Sequence, residues 1–250
     1  MTRLNRQWKS APGEFRIDRN TVHVWRAYLQ PALASERKFV DSLSQGEIDR
    51  AKRFIRQSDR DRYIFAHGLL RSILGAYVGC EPQQLVFETK EYHKPFLVSP
   101  VGSNEIQFNL SHSKDMILIA VTGGTAVGID VEHVRRVPDA PQIVNRFFSA
   151  DERRFLNSLP PADFKEGFFD CWTSKEAFIK GIGKGLSYPL DKFSVIFSSE
   201  ELDGMIYVHD GPVEAYGWKI IRLFPGPGYS GALAIEELRS DPKLFEYCWH

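Results

Sequence analysis

Cysteine is scarce in this chain. It occurs three times, at positions 80, 171 and 248, without any CxxC pair, which argues against a disulfide framework and against a zinc site and leaves a reducing cytosol as the expected compartment. Net charge is missing as well: 32 basic and 32 acidic side chains cancel, so no global field draws the chain toward nucleic acid or an anionic membrane, and any anion site has to be local. Nor is there a run approaching about 18 apolar residues, and the opening MTRLNRQWKSAPGEFR has no apolar signal core. The expectation is a soluble, cytoplasmic, monomeric protein with neither a nucleic-acid nor a membrane partner. What the chain does have is core material, 43% hydrophobic and 13% aromatic residues in 250, enough for one large domain or two small ones.

Residues 1–20 read as polar and loose, and TVHVWRAYL (21–29) as the first strand. Ser44 with Glu47 forms an S-x-x-E capping box ahead of IDRAKRFIRQ, and a second helix covers DRYIFAHGLLRSILGAYVG, stopping at Gly79. Strands follow at QLVFET (84–89), IQFNLS (106–111), MILIAVT (116–122) and TAVGIDVE (125–132), the last two joined by Gly123-Gly124, a two-residue link that predicts a type I′ hairpin. Two further capping boxes, Ser149 with Glu152 and Asp163 with Glu166, announce ADERRFLNSL and FKEGFFDCWTSKEAFIKG. Strands then return at KFSVIF, MIYVHD, YGWKIIRLF and YSGALAIEE. Strands and helices without regular βαβ alternation predict an α+β architecture rather than a doubly wound sheet.

Four groups of side chains carry possible chemistry. In VGIDVE, Val127, Ile129 and Val131 alternate with Gly128, Asp130 and Glu132, so two carboxylates leave one face of a strand roughly 7 Å apart. That face could simply meet solvent; with a third carboxylate it would suit a hard cation such as Mg²⁺. On the helix from Phe164, residues Phe164, Phe168, Cys171, Phe178 and Ile182 share a stripe, and Trp172, Glu176 and Lys180 form a row at i, i+4 and i+8 beside it. Glu176 and Lys180 could be a surface ion pair worth about 0.3–0.5 kcal/mol, and the following GIGKGLS could either stop the helix or bring backbone close to a ligand. FNLSHS places hydroxyls on both sides of His112, either a local turn or an anion contact. RAKRFIRQSDRDR is a local basic cluster, a solvated helix face or, together with Lys94 of EYHKPFL, a grip on a phosphate.

Taken together, VGIDVE (127–132), FFSADE (147–152) and WTSKEAFIKGIGKGLS (172–187) resemble the paired signature of the 4'-phosphopantetheinyl transferases, (V/I)GID-x-E followed by W-x-x-KE-x-x-x-K. FNLSHS, the KP of HKPF and the basic helix before them are also similar to that family, and the D-x-E form is similar to its larger, Sfp-type class. The resemblance spans roughly residues 45–200. It implies an α+β fold of two similar, pseudo-two-fold subdomains, at residues 1–126 and 127–250, with coenzyme A in the cleft between them. It further implies Mg-dependent transfer of 4'-phosphopantetheine from coenzyme A to a serine of an apo acyl- or peptidyl-carrier protein, as in fatty acid, polyketide or nonribosomal peptide assembly, releasing 3',5'-ADP. By match to the motifs, Asp130, Glu132 and Glu176 would hold Mg²⁺. Glu176 would activate the carrier serine, with Asp130 beside it, and Lys180 would stabilise or protonate the departing phosphate. Arg50, Arg62, Lys94, Ser111, His112 and Lys175 would bind coenzyme A. The same carboxylates would serve a Mg-dependent pyrophosphohydrolase of coenzyme A-like nucleotides, and a non-catalytic coenzyme A or carrier-binding module is the third reading.

Overall fold

The structure is a computed structural model that describes residues 7–19, 21–29, 37–89, 94–100, 105–197, 203–208, 217–237 and 240–248. In chain order the elements are β1 (Lys9–Ser10), β2 (Val22–Tyr28), α1 (Arg37–Ser42), α2 (Gln45–Lys52), α3 (Gln57–Val78), β3 (Val86–Thr89), β4 (Pro95–Ser99), β5 (Ile106–Ser113), β6 (Met116–Gly123), β7 (Val127–His133), α4 (Ala140–Phe147), α5 (Ala150–Ser158), α6 (Phe164–Gly181), β8 (Phe193–Phe197), β9 (Asp203–Val208), β10 (Trp218–Leu223), β11 (Tyr229–Glu236) and β12 (Lys243–Glu246). The mixed α+β class is as the sequence predicts. Residues 209–210 and 216, at the ends of two expected strands, lie outside the described residues.

Two of the three capping boxes form. The Ser44 and Ser149 side chains accept from the N–H groups of Glu47 and Glu152, and each glutamate takes the N–H of its serine in return. The third does not form: Asp163 is already helical at φ −94° and makes no side-chain cap. Its N–H and that of Phe164 donate instead to the Pro160 carbonyl, so a turn begins α6. Glycine ends the long helices as expected. Gly79 is left-handed after α3; after α6, Gly183 has φ 72°. There the Lys184 N–H reaches back to Ile179 and the Gly183 N–H to Lys180, the paired bonds of a Schellman stop.

A five-stranded sheet has the order β1-β12-β2-β6-β5, a second the order β7-β11-β10-β9-β8, and β3 pairs β4 alone. Within them β2-β6-β5 and β7-β11-β10 repeat one pattern: an opening strand pairs antiparallel with the last strand of its half, which pairs with the strand before it. A long helix, α3 or α6, follows the opening strand each time. Trp25, Phe108, Ile117 and Ile119 of the first sheet pack with Phe65, Leu69 and Ile73 of α3. Val24, Leu118 and Ala120 meet Val127, Ile129, Val131 and Leu233 between the sheets, and Ala177 and Phe178 of α6 cover Ile220 and Ala234 on the far side.

Two expectations change. The predicted hairpin does not exist, because β6 is flanked by β2 and β5 and has no open edge for β7, which crosses to the second sheet and pairs with β11. The tail also crosses over. β12 lies parallel to β2, with Leu244 opposite Val24, and β1 adds outside it, so the last strand belongs to the first sheet rather than to the C-terminal half.

Candidate active site

Gly128 sets the geometry. A Cβ there would lie 2.0 Å from the Ala177 carbonyl oxygen and 2.4 Å from the Gly181 nitrogen, closer than real contacts allow, so only glycine lets α6 lie directly on β7. The even positions of β7 then face the helix row foreseen in the sequence. Lys180 Nζ sits 2.5 Å from Asp130 Oδ1, and Ser111, from β5 of the other sheet, donates to the same oxygen at 2.8 Å. Lys180 also donates to Ser111 Oγ at 3.2 Å. Ser113 donates to Glu132 Oε2 at 2.8 Å. Thus β5, β7 and α6 converge at the seam between the two sheets.

The electrostatics show that Glu176 shares this site. Its pKa is raised from 4.5 to about 7, first by lost hydration and then by the charges of Asp130 and Glu132, with Lys180 opposing. Burial and the Asp130 charge also raise Glu132, against its bond from Ser113. Across the seam His112, open to solvent at its edge, is lowered to about 4 by partial desolvation and by Arg62, His67 and Lys180. Arg62 donates to the Lys114 carbonyl at 2.6 Å and pairs with Asp59. Exposed Arg50 lies over the Tyr63 ring, against which His67 packs at a tilt, 4.1 Å between centroids.

Asp130 is buried, and its Oδ2 has no hydrogen-bond partner among the described residues. An orphaned carboxylate oxygen beside two carboxylates of raised pKa, with no thiolate among them, fits a hard divalent cation in chemistry. The donors are not gathered: among the described residues, no three His, Cys, Asp or Glu side chains stand close enough together to hold a metal as they are. Lys180 fills part of that role by its contact with Asp130.

Other expected ligands have different partners. Lys175 is fully buried, paired with Glu152 at 2.7 Å and donating to the Phe193 carbonyl, so it cannot touch coenzyme A; it points into the core because it leaves α6 on the side opposite Lys180. Lys94 bridges the Val127 and Gly181 carbonyls at 3.0 and 2.7 Å, tying the start of β7 to the end of α6. The hydroxyl of Ser111 is engaged by Asp130 and Lys180. Sequence reasoning passed over Asn109 and took the Ser113 hydroxyl for part of a local turn or an anion contact, although small polar residues at every second position of β5 are a visible sign of a face turned to something polar.

Residues 28–123 match a family model described as the N-terminal part of 4'-phosphopantetheinyl transferase, and residues 126–216 match that of the 4'-phosphopantetheinyl transferase superfamily. The chain is similar to the 4'-phosphopantetheinyl transferase HetI of Nostoc sp., 32% identical over 244 residues that cover 98% of this chain and 100% of that one. It is likewise similar to the 4'-phosphopantetheinyl transferase Sfp of Bacillus subtilis, 31% identical over 176 residues, 70% of this chain and 76% of that one. Among solved structures, a holo-[acyl-carrier-protein] synthase of Thermotoga maritima is similar over 46% of this chain and 65% of its own, at 24% identity and a TM-score of 0.37.

Proposed function

The chain belongs to the 4'-phosphopantetheinyl transferase family, and from that premise we propose the reaction and the residues that perform it. The protein transfers 4'-phosphopantetheine from coenzyme A to a serine of an apo acyl- or peptidyl-carrier protein, giving the holo-carrier and 3',5'-ADP. The observation that carries the assignment to this site is the meeting of Glu176, Lys180 and Asp130 where α6 lies on β7.

Attack by a neutral serine needs a base within hydrogen-bond reach of its hydroxyl, and Glu176, set beside Lys180 and Asp130, is that base. Glu176 takes the serine proton as the serine Oγ bonds to phosphorus; the bond from phosphorus to the 3',5'-ADP oxygen breaks, and Lys180 donates to the phosphate that leaves. Asp130 holds the Lys180 ammonium at 2.5 Å. Asp130, Glu132 and Glu176 would hold Mg²⁺, which when bound supplies charge neutralisation to the pyrophosphate. Arg50, Arg62 and His112 receive the phosphates of the nucleotide end, while Ser111 and Lys94 act by framing the site. The subdomains divide at 126/127, a reading supported by the repeated strand order, with β12 assigned to the first. No helix among the described residues is long and apolar enough to cross a membrane, and we read the protein as a cytoplasmic monomer.

Mass spectrometry of a panel of apo-carriers incubated with coenzyme A and Mg²⁺ tests the assignment. A phosphopantetheine increment on at least one carrier is expected. Consumption of coenzyme A with no modified carrier would instead mark a pyrophosphohydrolase, and binding with neither would mark a non-catalytic module.

A further inference from the structure

β7 is the edge strand of its sheet, and an antiparallel edge leaves every second N–H pointing outward without a strand to receive it. Here β5 receives them with side chains rather than backbone. Asn109 Oδ1 accepts from the Ile129 N–H at 2.8 Å, Ser111 Oγ from Val131 at 3.3 Å and Ser113 Oγ from His133 at 3.1 Å. A hydroxyl has a single proton, and with its oxygen accepting from the strand, and at Ser111 from Lys180 as well, each serine directs that proton at a carboxylate: Ser111 at Asp130 and Ser113 at Glu132, both at 2.8 Å. Asn109 occupies the same place in the pattern with Gly128 in place of a carboxylate.

From this we propose that Ser113, with Ser111 beside it, is a positioning residue of the transfer reaction: its one hydroxyl, anchored on β7, aims the Glu132 carboxylate into the shared site. The proposal rests on the reading above that Glu132 belongs to a cation site. It links the seam between the subdomains to carboxylate geometry, since the same serine oxygen accepts from the His133 N–H and donates to Glu132.

The test uses the full chain with coenzyme A present, Mn²⁺ as the probe ion followed by electron paramagnetic resonance of the free ion, and the Mg²⁺ dependence of transfer beside it. Ser113→Ala is expected to weaken Mn²⁺ binding about 10–100-fold and to raise the Mg²⁺ requirement more than it lowers kcat, and Ser113→Thr to restore both. Asn109→Ala, which removes an equivalent clamp without a carboxylate, is expected to lose stability while keeping Mn²⁺ affinity. In a Glu132→Gln background, Ser113→Ala is expected to add nothing. Equal losses of affinity in Asn109→Ala and Ser113→Ala, or a further loss in the Glu132→Gln background, would overturn the proposal. Normal affinity in Ser113→Ala with a defective Glu132→Gln would overturn it alone; normal affinity in Glu132→Gln would remove the cation-site reading and this one together. Should Ser113→Ala not fold, Ser113→Cys, a weak donor of similar size, takes its place in the same comparisons.

Discussion

Glu176 holds its proton to a higher pH than an ordinary glutamate does, and that difference is measurable without any substrate. Its pKa is 4.5 when unperturbed and about 7 in the folded chain, so between these values the folded state binds more protons than the unfolded one. Stability of the metal-free protein therefore falls as pH rises through that window, and the loss is complete above it. Glu132 shifts in the same direction. The Glu176→Gln variant should lose part of this decline, seen as a flatter midpoint in urea titrations from pH 4.5 to 7.5, and should lose transfer while staying folded. Two lysines five positions apart make the complementary case. Lys175→Met strands the buried Glu152 charge and is expected to cost about 3–5 kcal/mol of stability, with kcat little changed in the folded fraction. Lys180→Met also removes the counter-charge of buried Asp130, but its own site is half-buried and Ser111 still donates to Asp130, so it should cost less stability than Lys175→Met and lower kcat by about 10²–10³-fold. Urea midpoints and single-turnover rates separate the two. Sequence spacing put Glu176 and Lys180 on one face, but it could not separate a lysine that reaches the carboxylate site from a core lysine, because that depends on which side of α6 the neighbouring layers cover.

At the scale of elements, the seating of α6 on β7 decides whether the residues of two distant motifs meet. Gly128 has an ordinary strand conformation; its requirement comes from the helix backbone above it. Gly128→Ala would have to lift the helix or shift the strand, at an expected cost of about 3 kcal/mol or more, and Lys180 would withdraw from Asp130. Transfer should fall further than the folded fraction does, as active-site titration against circular dichroism would show. The helix ends and the two serine capping boxes were legible because they are satisfied within a few residues. The Gly123-Gly124 link was read as a hairpin for the same local reasons, and the partnering of β6 by β2 and β5 overrode it.

Across the whole molecule, the tail binds the end of the chain to its beginning. Leu244 and Phe245 of β12 are buried in two different cores, one of them between the sheets. Deleting residues from 243 onward should cost roughly 3–6 kcal/mol, the burial of two large apolar side chains, and should uncover the outer edge of β2. Thermal unfolding would report the loss, and with the β2 edge open, light scattering should report association.

The sequence by itself determined the periodicities, the caps and the two motifs that mark the family, because each is a relation among residues a few positions apart. It also supplied the carboxylates, the lysine and the serines of the site. Tertiary structure alone decided that β7 leaves its neighbour in sequence for β11, that Lys175 is spent on Glu152 while Lys180 reaches Asp130, and that β5 closes the edge of β7 with side chains. Those outcomes depend on which surfaces remain unpaired once all strands compete for edges, and that competition joins residues whose separation along the chain carries no local signal.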